Sequence, residues 1–365
     1  MITFVPLEYY ALLFYYFLAV VTLFAYVQSA HVDIDDNGNL RRKNAIGVFM
    51  LVVLIFYMGL RPVSGKYFVD MFSYNRVFHA YADGGQILIE KDIVFNYFMK
   101  LCAMIMTADM FFLLCAALYI VPMYAVSKKF FGQYWFYAFL MAIGSMSFWS
   151  YGVNGIRNGI ATSIFLLALS RDKRYATWLL IILATMIHKS VLIPAGAYAI
   201  CLVFNNTKWI LWCWFGAIPL SLAFGKSWEN FFMSLGLVEY DRLEGYFGDE
   251  AAEQVVSAGF RWDFLAYSAI AVYAGWYFIK KRKFENVTYT RMYNIFLIAN
   301  AFWILIIRAS FSNRFAYLSW FLMGFVIIYP LLRNRFYTGQ HKVIALIMLA
   351  YFILTFILNV LLKSN

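Results

Sequence analysis

The feature that most constrains this chain is a succession of apolar segments, each long enough to become a helix buried in lipid. A membrane-spanning helix needs roughly 20 mostly apolar residues, because its backbone polar groups must pair with each other inside a bilayer. The predicted spans are 7–28, 45–60, 109–126, 133–151, 158–170, 175–187, 190–204, 208–225, 262–279, 292–308, 315–332 and 343–362. The sequence therefore predicts an all-α, polytopic membrane protein with about twelve transmembrane helices, forming a single transmembrane domain over residues 1–365.

Composition agrees with this class. Hydrophobic residues make up 64% of the chain, whereas soluble domains are about 45–50% apolar. The loop charges orient the predicted spans: with the N-terminus outside, one set of loops holds 17 of the 30 Lys and Arg residues but five of the 19 acidic residues. Cytoplasmic loops carry such a basic excess. The net charge of +11 is therefore an orientation signal, and it gives no support to nucleic-acid binding.

Two long loops fall on the outer side of this topology, at residues 61–108 and 226–261. The first ends in segment 92–107, in which Asp92, Asn96 and Lys100 recur at helical spacing beside an apolar face. This pattern predicts an amphipathic helix lying on the outer membrane surface. Loops of such length are more often functional than incidental.

Arginines recur on the outer side. A guanidinium stays charged and its planar fork matches a phosphate group, so several of them would suit a lipid-linked anion. An arginine at a helix end can equally extend to the lipid headgroups. Arg157 and Arg314 fit the first interpretation best, because each begins a predicted span. The outer arginines are Arg61, Arg76, Arg157, Arg242, Arg261, Arg308 and Arg314.

Arg157 lies in the stretch SYGVNGIRNGIA, between two apolar runs. The spacing Gly155-x-x-x-Gly159 lets helices approach closely, which favours a packing motif with an incidental charge. The same stretch is also typical of a helix start whose free N–H groups bind an anion together with the arginine. Both interpretations stay open from the sequence.

Groups able to move a proton are few on the outer side. His188, in the stretch TMIHKS, is either a base or a hydrogen-bonded interfacial histidine. Asp70 is one of several carboxylates in the outer loops, and no two of these can be paired from the sequence. No His, Cys, Asp or Glu cluster has metal-ligand spacing, so the sequence predicts no metal site.

Five short motifs occur together in the chain. They are VDMFSYNRVF in the first outer loop, GIRNGIA at the start of a span, IHKS at the outer end of the next span, EYDRLEGYF in the second outer loop and SNRFAY at the start of a late span. In their order and spacing these motifs resemble the EpsG family, the Wzy-type polymerases of bacterial surface polysaccharide. The resemblance extends over most of the chain.

The resemblance implies a GT-C-like glycosyltransferase of the bacterial inner membrane, with its active site facing the periplasm. Such polymerases transfer the growing glycan from undecaprenyl diphosphate to the non-reducing end of a new lipid-linked repeat unit, without a cofactor. The implied partners are undecaprenyl-diphosphate-linked glycans, membrane lipid and a chain-length regulator protein.

The resemblance also predicts roles for individual residues. Arg157 and Arg314 would stabilise the departing diphosphate, His188 or Asp70 would deprotonate the acceptor hydroxyl, and tyrosines would pack on sugar faces. The predicted catalytic residues are His188, Asp70 and Arg157. The predicted substrate-binding residues are Arg314, Arg242, Arg76, Arg308, Tyr74, Tyr240 and Tyr246.

Other functions compete with this one. An O-antigen ligase uses the same kind of donor. A flippase for lipid-linked oligosaccharides needs a polar path through the whole membrane, whereas the charges here gather at the outer ends of the predicted spans. A sugar acyltransferase would place its histidine near a cytoplasmic donor, while His188 faces outward in this topology.

Overall fold

A computed structural model describes residues 4–87, 92–234, 259–309 and 312–362 of the chain. All regular secondary structure in these residues is helical, which confirms the predicted all-α class. Contacts divide the chain into two compact units, one of residues 1–191 and 324–365 and the other of residues 192–323.

The first unit holds the N-terminal helices and the last ones. Its helices are α1 (Tyr10–His31), α2 (Asn37–Gly59), α3 (Val69–Ala82), α4 (Ile93–Ala103), α5 (Ala108–Phe131), α6 (Trp135–Ile143), α7 (Met146–Val153), α8 (Ile156–Leu169) and α9 (Arg174–Ile187). The second unit contains α10 (Leu192–Val203), α11 (Thr207–Ser234), α12 (Trp262–Trp276), α13 (Val287–Leu305) and α14 (Ser312–Trp320). The chain ends with α15 (Met323–Arg333) and α16 (Gln340–Phe356).

Every predicted span coincides with one helix or with two consecutive helices. Six helical segments of the described chain are long and apolar enough to cross a membrane: Leu7–His31, Asn37–Gly59, Ala108–Ile143, Thr207–Phe232, Ser312–Arg333 and Gln340–Leu361. The helices between residues 156 and 203 are apolar but shorter than a typical span. The chain is thus a helical protein with several spans, and the total of twelve stays a prediction.

The predicted span 133–151 is broken in two, into α6 and α7. The break lies at Gly144 and Ser145, where the α6 helix ends and the next begins. Beside it, α15 approaches the backbone of α6 closely. A Cβ atom on Gly324 would lie 2.6 Å from the carbonyl oxygen of Met141, so only glycine permits this contact.

Arg61 is buried, 1% exposed, and does not extend to the membrane surface. Its guanidinium donates hydrogen bonds to the carbonyl oxygen of Met58, at the end of α2, and to that of Val153, at the end of α7, the latter at 2.6 Å. The last carbonyls of a helix lack partners within it and carry partial negative charge. Arg61 therefore fixes the end of α7 immediately before the turn that leads to Arg157.

The second unit is joined internally by a buried polar network on four helices. Trp214 on α11 donates from Nε1 to Oδ1 of Asn300 on α13, at 2.8 Å. The amide nitrogen of Asn300 donates to Ser268 on α12 and to Ser319 on α14. Interhelical hydrogen bonds of this kind specify helix packing where lipid and protein are equally apolar.

Candidate functional site

The turn between α7 and α8 brings Arg157 into the first turn of a helix. The backbone N–H of Gly155 donates to Ser150 across the turn, at 2.9 Å, and Gly155 then directly precedes α8. Gly159 lies against α5, because a Cβ there would be 3.1 Å from the ring of Tyr119. The glycines of this stretch thus serve close packing, and the arginine has partners of its own.

The guanidinium of Arg157 is held by a carboxylate and a phenol. Its Nη1 lies 2.7 Å from Oδ2 of Asp92. Its Nε donates to the hydroxyl of Tyr74 on α3, at 2.9 Å, and the guanidinium carbon lies 5.4 Å from the centre of that ring. A guanidinium has five N–H donors, so Arg157 keeps donors for a further anion.

His188 binds the same carboxylate from the end of α9. Its Nδ1 lies 3.0 Å from Oδ2 and 3.1 Å from Oδ1 of Asp92. The backbone N–H of Lys189 also donates to Oδ1, at 3.3 Å. An ionised carboxylate only accepts hydrogen bonds, so Nδ1 of His188 carries the proton in this arrangement. In the neutral imidazole Nε2 is then an acceptor, the form that a general base needs.

Asp92 thus joins three elements: the start of α4, the start of α8 and the end of α9. We call Tyr74, Asp92, Arg157 and His188 the Asp92 cluster. The side chains of Asp92, Arg157 and His188 are 4%, 12% and 17% exposed. Little water therefore screens their charges, and attractions between them are stronger than at an open surface.

Electrostatics keep the carboxyl of Asp92 ionised. Burial alone would raise its pKa, but the hydrogen bond and charge of His188, the charge of Arg157 and the N–H of Lys189 together lower it below the ordinary aspartate value. Burial raises the pKa of Tyr74 to about 12, against the opposing effect of Arg157. At neutral pH the cluster therefore contains a carboxylate and a neutral phenol.

A second contact ties the same two segments together. Ser190, which follows His188 and Lys189, donates from Oγ to Oδ1 of Asn158, at 2.5 Å. Asn158 follows Arg157 directly on α8. The motifs GIRNGIA and IHKS, separate in sequence, are thus joined twice, once through Asp92 and once through Asn158.

A comparison with protein families shows the family to which the chain belongs. The sequence profile of the EpsG family matches residues 44–365. The chain belongs to the EpsG family. This is the family of Wzy-type polysaccharide polymerases. No curated protein and no solved structure matches the sequence.

The structure of this EpsG protein brings three of the predicted site residues together: Arg157, His188 and Tyr74. Asp70 lies one turn before Tyr74 on α3, and its charge acts on Tyr74 and Arg157. Arg76 is exposed on the same helix. Their contribution to a site stays a prediction.

The remaining predicted residues of the EpsG protein belong to the second unit or lie outside the described residues. Arg308 and Arg314 belong to the second unit, where the guanidinium of Arg308 lies 6.0 Å from the ring of Phe260. Arg314 lies in the first turn of α14. Tyr240, Arg242 and Tyr246 lie outside the described residues.

Asp92 is the residue that sequence reasoning missed. The pattern of 92–107 placed it on the polar face of a surface helix, whereas it directly precedes that helix, in a left-handed conformation with φ of 52°. An aspartate before a helix commonly caps it, but here the side chain makes no cap hydrogen bond. The sequence offered one signal for Asp92. It is an acid in the same outer loop as Arg76, which was predicted to bind substrate.

The described part of the EpsG protein contains no group of three or more His, Cys, Asp or Glu side chains arranged to hold a metal ion. Asp92 is bound directly by Arg157 and His188 instead. The Asp92 carboxylate accepts from the guanidinium of Arg157, the imidazole of His188 and the backbone N–H of Lys189. Donors of these kinds bind oxyanions well.

Proposed function

We propose that this protein polymerises lipid-linked oligosaccharide repeat units. It transfers the growing glycan from undecaprenyl diphosphate to the non-reducing end of a new repeat unit, at the outer face of the bacterial inner membrane. The observation that carries the proposal is the Asp92 cluster, in which one carboxylate holds both a permanent cation and an oriented histidine. Family membership supports the reaction class.

The reaction needs a base and a group that stabilises the leaving anion. The acceptor hydroxyl attacks the anomeric carbon of the donor glycan, and the bond between that carbon and the diphosphate oxygen breaks. The hydroxyl proton passes to Nε2 of His188, while Asp92 stabilises the imidazolium that forms. The bonding electrons leave with the diphosphate, whose new charge is neutralised by the remaining donors of Arg157.

Tyr74 orients Arg157 in this scheme. Its hydroxyl accepts from Nε of Arg157 at 2.9 Å, which restricts the guanidinium to one plane and directs its remaining donors. A neutral phenol serves this purpose without cancelling the positive charge that the diphosphate needs. Asp70 is the alternative base. The residues proposed to act in substrate binding are Arg76, Arg242, Arg308, Arg314, Tyr240 and Tyr246.

The proposed architecture is a GT-C-like bundle of about twelve spans with the Asp92 cluster at the periplasmic side. The basic excess of the opposite loops supports this orientation. His188 and Arg157 lie at the ends of apolar helices, where a lipid-linked diphosphate at the membrane surface can reach them.

The surface polysaccharide of a deletion strain tests the proposed function. We expect single repeat units on the acceptor and no long chains, because transfer of a finished unit does not need the polymerase. Loss of every unit from the acceptor would indicate a ligase or a flippase instead. A normal chain-length ladder would contradict the proposal, and complementation with the wild-type gene is the control.

A further inference from the structure

A groove lies near the Asn37 end of α2. At the opposite end of that helix is Arg61, which contacts the end of α7. The groove has a volume of about 490 Å³ and is lined by Asn44, Val48, Tyr124, Lys128, Gln133 and Trp135. One water molecule takes up about 30 Å³ of liquid, so the groove has room for a group of headgroup size. It has no part in the proposed transfer reaction.

Two neighbouring lysines at the end of α5 differ in their partners. Nζ of Lys129 is paired with Oδ2 of Asp172, at 2.6 Å. Nζ of Lys128, which lines the groove, lies 5.4 Å from the ring centre of Tyr124. No carboxylate of the described residues is within ion-pair distance of it. Lys128 therefore offers the groove a cation that no acid neutralises.

Asn44 offers the groove an acceptor. Its amide nitrogen donates to the carbonyl oxygen of Gln133, at 3.3 Å, while its Oδ1 is buried without a hydrogen-bond partner in the described chain. An unpaired buried acceptor is costly, and a rotation of the Asn44 side chain that turns Oδ1 toward a donor bound in the groove removes this cost.

Most of the remaining groove lining is apolar. Val48 lies one helical turn after Asn44 and is 46% exposed, and the aromatic rings of Tyr124 and Trp135 complete the wall. Both α2 and α5 belong to segments long and apolar enough to cross a membrane. A cation at the end of the groove with an apolar wall running along the helices matches a phospholipid, whose phosphate adjoins its acyl chains.

We infer that this groove binds an anionic glycerophospholipid of the phosphatidylglycerol type. The lipid phosphodiester contacts Nζ of Lys128, and a headgroup hydroxyl donates to Oδ1 of Asn44. The acyl chains follow Val48 along α2. The net negative charge of such a lipid suits this end of the first unit, where Arg41 and Arg42 on α2 add further basic charge.

Lipid titration of the purified, delipidated full chain in detergent tests this inference, with bound lipids counted by native mass spectrometry. We expect Lys128→Gln to weaken phosphatidylglycerol binding about five-fold, since one basic residue near a lipid surface contributes about 1 kcal/mol. Lys129→Gln is the matched control and should change the affinity less than two-fold. Both lysines are exposed, so neither change should disturb folding, which thermal unfolding checks.

The headgroup donor is tested separately. Phosphatidylmethanol has the same singly charged phosphodiester but no hydroxyl donor, so wild type should bind it more weakly than phosphatidylglycerol, and Asn44→Ala should reduce the difference. Equal weakening by Lys128→Gln and Lys129→Gln, or equal binding of the two lipids by wild type, would overturn the inference. Because the assay measures lipid alone, its outcome is independent of whether the protein polymerises glycans.

Discussion

Replacement of Arg157 by alanine is expected to convert long surface polysaccharide into single repeat units. The guanidinium is the permanent cation of the Asp92 cluster, and its removal leaves the departing diphosphate without the charge that stabilises it. Losing one such group commonly costs about 10²–10³ in rate. Gel analysis of the polysaccharide chain-length ladder in the complemented deletion strain measures the loss.

The same helix supplies a matched control. Arg171 follows the opposite end of α8, where it donates to the carbonyl oxygen of Leu167 and to Ser170. Arg171→Ala should keep a normal ladder, since this arginine has no contact with the Asp92 cluster. Arg157→Lys should retain shortened chains, because lysine keeps the charge but loses the planar fork that reaches Tyr74 and Asp92 together. An unchanged ladder in Arg157→Ala would remove this residue from the site.

Asp92→Asn should reduce glycan transfer nearly as much as Arg157→Ala, although aspartate and asparagine have the same size. The amide has no charge to balance Arg157 and can donate to Nδ1 of His188, which turns the imidazole into the tautomer that cannot act as a base through Nε2. In the serine proteases the corresponding change costs about 10⁴ in rate, and we expect at least about 10² here. The measurement is the transfer rate of purified protein on lipid-linked repeat units.

Asp83→Asn is the control for this change, because Asp83 is exposed at the end of α3. It should transfer glycan at the wild-type rate. If Asp92→Asn were as active as Asp83→Asn, the carboxylate would have no role in the reaction. Equal amounts of folded protein, judged by gel filtration in detergent, are required for each comparison.

The pKa of Asp92 predicts how acid affects the cluster. Because the folded protein lowers this pKa, the ion pairs contribute stability that is complete above the ordinary aspartate value of about 3.9. That contribution is lost as the pH falls through the lowered value. Thermal unfolding of wild type should therefore be more acid-sensitive than that of Asp92→Asn below about pH 4, and the two should respond alike above it.

Helix positions were predictable because lipid imposes a strong and local rule. Each apolar run coincides with helices, and two of the runs are divided by short-range breaks, one at Gly144 and Ser145 and the other between Trp320 and Met323. Buried charge was not predictable in this way. The sequence predicted that Arg61 is one of the outer arginines. In the structure its guanidinium instead donates to the carbonyl oxygens of Met58 and Val153, which lie at the ends of two helices and 95 residues apart in the chain.

Part of the candidate site was predictable because polar residues are easy to recognise between apolar segments. Arg157, His188 and Tyr74 stood out because a charge, a histidine and a motif tyrosine are conspicuous beside apolar helices. Asp92 did not, because an acid at the start of an amphipathic helix is ordinary in sequence. Its importance comes from contacts with residues 65 and 96 positions further along the chain, which no local pattern contains.

We propose that Asp92, Arg157 and His188 act as one unit in glycan transfer. A double-mutant cycle on purified protein tests it most directly, with transfer rates measured for Asp92→Asn, His188→Gln and the double variant. Losses from residues that act as a unit are strongly non-additive, so we expect the double variant to be no slower than the slower single variant. A double variant slowed by the product of the two single losses would contradict it.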